Sequence, residues 1–138
     1  MRIERFEELK SWQEARTLNQ MVGRFIDTPA FARNRRLGWQ IEEAAASIMS
    51  NIAEAHGRYS FEDKRRILDI AMGSCKEVQS RLYAALDRRY IVVQEEFDQA
   101  YEQGDIVSQL LGGALQNLDR QICDRLGVRS PVRRKAEA

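Results

Sequence analysis

Apolar residues recur at alternating steps of three and four through four long stretches of this chain, a spacing that fits one face of an α-helix and no strand. In the first stretch Phe6, Leu9, Ala15, Leu18, Val22 and Phe25 fall on one stripe, and Asp27-Thr28-Pro29 ends it near Ile26. The second runs from about Leu37 to His56 through Ile41, Ala45, Ile48, Ile52 and Ala55, with Gly57 as its stop. The third is expected to open at Ser60, an N-cap residue with Glu62 and Asp63 in the turn where the helix dipole favours acid, and to reach about Arg88. Its inward positions are Ile67, Leu68, Ala71, Val78, Leu82, Ala85 and Leu86. The fourth occupies roughly Glu95 to Leu126, with Phe97, Val107, Leu111, Ala114, Leu118 and Ile122 inward, and Gly104 and Gly112-Gly113 predict a local bend in it.

The connections after the second and third helices are short, which favours antiparallel neighbours. The expected fold is therefore all-α, an antiparallel up-down-up-down four-helix bundle in residues 1–126. Residues 127–138, with Arg133, Arg134 and Lys135, read as a basic, flexible tail. A chain of 138 residues is long enough to bury such a core without staples. No run approaches the roughly 18 apolar residues of a membrane span, and the charged start Met1-Arg2-Ile3-Glu4-Arg5 shows no signal peptide. Cys75 and Cys123 lie inside helical patterns without CxxC spacing, as reduced thiols do. Together these features point to the cytoplasm.

Few residues are arranged for chemistry. A di-iron bundle needs two Glu-x-x-His repeats and two further glutamates, but the chain has one histidine, His56, and Glu54-Ala55-His56 has the wrong spacing. No glycine-rich phosphate loop or nucleophile-histidine pairing is present. No metal and no cofactor is expected, and His56 reads as a capping residue near a helix C-terminus. Asn51 and Glu54 share a helix face, as do Ser74 and Glu77. If the two faces meet, these four could bind a cation or a basic partner. The expectation is instead a structural polar network that fixes helix register.

The middle of the chain carries a more specific signal. Gln40-Ile41, Ala44-Ala45-Ala46-Ser47-Ile48, Asn51-Ile52-Ala53-Glu54, Gly57-Arg58 and Ser60 occur in order. They are followed by Ile67-Leu68-Asp69-Ile70-Ala71-Met72-Gly73-Ser74 with Glu77, and preceded by Phe6-Glu7-Glu8-Leu9 with Trp12 and Ala15. Over about residues 5–126 this pattern resembles the four-helix-bundle family of 23S ribosomal RNA intervening-sequence proteins. The resemblance implies a protomer that assembles into a ring, a homopentamer, without enzymatic activity. Some family members are encoded within inserts of ribosomal RNA genes. A related branch serves as accessory proteins of diversity-generating retroelements, binding reverse transcriptase and nucleic acid through basic surfaces. Two positions depart from the pattern: Glu42-Glu43 stands where a basic pair is usual, and Glu54-Ala55 stands where Glu-Gly is usual, with the glycine delayed to Gly57. The first departure removes positive charge from the second helix and counts against nucleic-acid binding there.

Net charge is +1, but residues 94–126 carry two basic and seven acidic side chains, so the molecule is dipolar. In an antiparallel bundle Arg33, Arg35 and Arg36 before the second helix and Arg88 and Arg89 at the end of the third lie at one end. They form the expected nucleic-acid-binding patch, which a ring would repeat around its axis. Such a patch contacts phosphate and reads no bases. Arg58, Lys64, Arg65 and Arg66 make a second basic group at the opposite turn. Trp12, Trp39, Tyr59, Tyr83, Tyr90 and Tyr101 are the aromatic residues available for subunit contact. The expected function is an accessory protein for RNA, DNA or a nucleoprotein partner. The alternative is a structural, protein-interaction ring whose arginines meet the acidic fourth helix of a neighbour.

Overall fold

The computed structural model describes residues 3–129. Four helices carry the chain, α1 (Lys10–Ile26), α2 (Arg35–His56), α3 (Phe61–Asp87) and α4 (Gln94–Leu126), and no strand occurs among the described residues. Single 3₁₀ turns precede α1 at Phe6–Glu8 and α2 at Phe31–Asn34. The chain ahead of α1 is thus broken at Leu9, which takes an extended conformation.

Each helix buries most of the stripe its periodicity defines, although Leu86, Ala114 and Ile122 are only half-buried and α4 buries Leu115 beside Ala114. Ala15, Leu18 and Val22 of α1, Ala45 and Ile48 of α2, Ala71, Val78 and Leu82 of α3, and Val107 and Leu111 of α4 are wholly inaccessible. They belong to one continuous core, and burial of such side chains is the main favourable term in folding. α1 packs on α2 and α4, and α3 packs on the same two helices, whereas the backbones of the diagonal pairs, α1 with α3 and α2 with α4, stay apart.

Polar cross-links tie the helices at defined heights. From α3 to α4 the bonded pairs are Glu62–Arg125, Arg65–Asp119, Met72–Ser108, Cys75–Gly104 and Gln79–Tyr101. From α2 to α3 they are the carbonyls of Ala55 and His56 with Lys64, Ser47 with Ser74, and Gln40 with Arg81. In both series the partner's number falls as the number on α3 rises. α1 is tied to α4 through Gln103, whose Nε2 donates to the Glu14 carboxylate at 2.6 Å and to the Glu14 carbonyl at 2.9 Å.

Local signals explain where the helices start and stop. Ser60 Oγ accepts from the Asp63 amide at 3.1 Å and caps α3. Asn34 Oδ1 accepts from the Leu37 amide at 3.0 Å, so α2 begins at Arg35, two residues ahead of its apolar stripe. Lys64 Nζ caps the C-terminal end of α2 by donating to the last two carbonyls. His56 does not fill that role; its Nε2 lies 3.2 Å from the Glu4 carbonyl oxygen. α4 runs as one helix through all its glycines and closes at Gly127, whose φ of 69° is the left-handed cap conformation. Residues 127–129 continue past α4. The rest of the basic tail, including Arg133, Arg134 and Lys135, lies outside the described residues.

Candidate nucleic-acid interface

Five arginines flank the connection into α2 and the exit from α3. Phe31 is buried to 1% exposure and its ring packs on Tyr90 with centroids 5.8 Å apart, which fastens the 27–34 linker to the loop between α3 and α4. Arg33 follows it, with its guanidinium carbon 5.3 Å from the centre of the Tyr90 ring, a cation–π contact. Arg35 and Arg36 open α2, Arg88 and Arg89 follow the last turn of α3, and all five arginines are exposed. None of the five makes an ion pair with a carboxylate among the described residues.

Arg89 has an unusual backbone. After α3 the Arg89 amide donates to Leu86 and the Tyr90 amide donates to Ala85, the pair of bonds that closes a helix in a Schellman motif. That motif requires left-handed geometry at its turning residue, which is nearly always glycine. Here the position is held by arginine, with φ of 60°, the only non-glycine in the positive-φ region among the described residues.

Each member of the second basic group has a partner within the chain. Arg58 pairs with Glu54 at 2.6 Å, Arg65 with Asp119 at 2.5 Å and Arg66 with Asp63 at 3.8 Å, while Lys64 caps α2. The hydrogen bond from Arg65 to Asp119 raises the Arg65 pKa above its ordinary value, despite partial burial acting the other way. The arginine end is not uniformly positive either. Asp87 is the last residue of α3, and Glu95 and Glu96 lie in the first turn of α4.

Asn51, Glu54, Ser74 and Glu77 are only partly brought together. Asn51 Nδ2 donates to the Ser47 carbonyl at 2.8 Å and to Ser47 Oγ at 3.0 Å, and Ser47 Oγ lies 3.0 Å from Ser74 Oγ. Within this cluster Ser47 is therefore what joins α2 to α3, a role that its spacing on α2 alone does not reveal. Glu54 and Glu77 stand outside this cluster because each is engaged by an arginine one turn on, Glu54 by Arg58 and Glu77 by Arg81. Arg81 in turn donates to Gln40 at 2.9 Å. No group of three or more His, Cys, Asp or Glu side chains suited to a metal occurs among the described residues.

The aromatic residues divide in the same way. Trp12 packs edge-on against Phe6 with Arg16 over its ring, and Tyr90 and Tyr101 are half-buried in ring contacts. Trp39, Tyr59 and Tyr83 are exposed. Trp39 borders a cleft of about 400 Å³ between the 27–32 linker and α2, which Arg35 also lines.

Fold and surface together define a four-helix protein with a cluster of exposed arginines that make no ion pair among the described residues. The model of the 23S rRNA-intervening sequence protein family matches residues 7–113, and the chain belongs to that family. No curated protein matches the chain. No helix among the described residues is long and apolar enough to cross a membrane.

Proposed function

We propose that this protein is a non-enzymatic, cytoplasmic accessory protein that binds RNA or DNA through Arg33, Arg35, Arg36, Arg88 and Arg89. The observation that carries the reading is the contrast between the two basic groups. Arg58, Lys64, Arg65 and Arg66 are spent on carboxylates and helix carbonyls, whereas the five at the other end are exposed and unpaired with acid among the described residues. Unpaired guanidinium groups on a surface favour phosphate, which they bind through charge and forked hydrogen bonds. Arg89 in a glycine conformation adds to this, because strained backbone tends to cluster at functional sites.

The falling partner numbers along α2, α3 and α4 favour the antiparallel up-down-up-down arrangement, which brings the start of α2 and the end of α3 to one end. In our reading protomers assemble into a homopentameric ring through exposed apolar side chains such as Ile70 and Tyr83, each 48% exposed. A ring repeats the arginine cluster and multiplies weak phosphate contacts.

Fluorescence anisotropy of labelled RNA and DNA at low and physiological salt tests the reading. With four phosphate contacts, a roughly fourfold rise in salt lowers affinity on the order of a hundred-fold. Changing Arg35, Arg36, Arg88 and Arg89 to glutamate is expected to abolish binding. A protein that fails to bind at low salt supports a second reading, a protein-interaction ring. The acidic first turn of α4, with Glu95 and Glu96, favours that reading, since it offers a neighbour's arginines a partner.

A further inference from the structure

We propose that the cleft between the 27–32 linker and α2 is a stacking site for an unpaired nucleotide, its base against Trp39 and its phosphate on Arg35. The inference rests on the nucleic-acid reading above and narrows it to single-stranded RNA or DNA. Trp39 is 61% exposed and makes no ring contact with another aromatic side chain among the described residues, so its indole is open to a partner. Arg35 precedes it by one helical turn, on the same face of α2, and both line the cleft of about 400 Å³. An aromatic face beside a cation is the pairing that single-strand binders use, because every base has a π-face and every nucleotide a phosphate.

The cleft's acidic members restrict the pose. Asp27 and Glu42 also line it, and their carboxylates repel phosphate, which confines the backbone to the Arg35 side and leaves the base for Trp39. Arg36, Arg88 and Arg89, exposed around the same end, then follow the strand beyond the cleft. A duplex keeps its bases stacked on one another and meets only the arginines, so Trp39 distinguishes single strands from duplexes.

The test uses the full chain with Trp12→Phe, which leaves Trp39 as the only tryptophan. Titration with a labelled oligoadenylate is expected to quench Trp39 emission, and a labelled duplex of the same length is not. Trp39→Ala is expected to weaken oligoadenylate binding about ten-fold while changing duplex affinity less than about two-fold, and Trp39→Phe retains most of the binding. Because Trp39 is exposed, the helical circular dichroism of both variants should match the parent. Three outcomes overturn the proposal. If Trp39→Ala binds oligoadenylate like the parent while the four-arginine reversal abolishes binding, the stacking site is wrong and the phosphate reading stands. If Trp39→Ala changes the sedimentation coefficient, Trp39 belongs to a contact between copies of the chain. If neither probe binds at low salt, both readings fall together.

Discussion

The side chain of Gln79 lies directly against the backbone of Gly104, where a built Cβ would stand 2.8 Å from Gln79 Nε2 and 2.9 Å from its Cγ. Gln79 is 4% exposed, and its amide is committed, donating to the Tyr101 carbonyl at 3.1 Å and to Asp105 Oδ1 at 2.9 Å. One turn earlier on α3, Cys75 Sγ donates to the Gly104 carbonyl at 3.2 Å. Glycine inside a helix costs about 0.5–1 kcal/mol relative to alanine. At position 104 that cost is offset by a close approach of α3 to α4 that satisfies a buried amide.

Alanine at two glycines of α4 should therefore act with opposite sign. Gly113 is exposed and a Cβ there meets nothing within 4 Å, so Gly113→Ala is expected to stabilise by about 0.5–1 kcal/mol. Gly104→Ala is expected to destabilise by about 1–3 kcal/mol, because Gln79 must move and abandon bonds that a buried amide needs. Urea denaturation of both variants measures the difference. The combined variant Gln79→Ala, Gly104→Ala should lose less than the sum of its parts, since removing Gln79 removes the obstruction; strict additivity would refute the contact as the cause.

Cys75 should be chemically silent. It is wholly buried, and burial pushes its thiol up to about 11. The thiolate is the reactive form, so raising the pH from neutral to mildly alkaline should leave Cys75 unlabelled by a disulfide reagent in the native protein. Cys123 is only half-buried and is expected to label first. Mass spectrometry of the labelled peptides distinguishes the two, and native-state labelling at Cys75 would mean that α3 and α4 open far more readily than their packing implies.

How much of this was legible in the sequence follows from the range of each interaction. The stripe of Ile41, Ala45, Ile48 and Ile52 and the cap at Ser60 depend on neighbours one turn away, and spacing alone exposes them. The apolar period places the start of α2 at Leu37, two residues late, because Asn34 and the arginines after it are polar and add nothing to it. In sequence Ser47 is one more small residue after Ala44-Ala45-Ala46. Its importance comes from Ser74, which lies 27 positions on. The same holds for the arginines: Arg65 looks like Arg88 in sequence, and only the approach of Asp119, 54 positions away, removes it from the free surface. Gly104 read as a weak point in α4 because its reason, Gln79, sits on another helix.

The link between α1 and α4 should show in acid. Hydrogen bonds from Lys10 first, and then from Gln103, hold the Glu14 carboxyl below its ordinary value of 4.5, while burial acts the other way. A depressed folded-state pKa means that the unfolded chain takes up the proton first as pH falls. The stability contributed by Glu14 is therefore fully present above about pH 4.5 and is lost as pH drops through its folded-state value. Glu14→Gln removes this titration, so the variant is expected to be less stable than the parent near neutrality and to converge with it in acid. Thermal melts at neutral and acidic pH read the convergence; parallel losses in the two proteins would show that Glu14 is not linked to folding.

Arg89 offers a prediction in which stability and function move apart. Left-handed geometry costs a non-glycine residue about 1–2 kcal/mol, and the Schellman bonds to Leu86 and Ala85 hold Arg89 there. Glycine fits that geometry without strain, but it loses about 0.4–1 kcal/mol more chain entropy on folding. The net expectation for Arg89→Gly is a gain of about 0.5–1 kcal/mol in urea denaturation. If the arginine is kept for phosphate, the same variant should bind nucleic acid several-fold more weakly and with a shallower salt dependence, as the loss of one phosphate contact requires. Arg36→Ala, on regular helix, should weaken binding comparably with no gain in stability. Stabilisation without any loss of affinity would remove Arg89 from the interface and leave its strained backbone as a feature of the α3 cap alone.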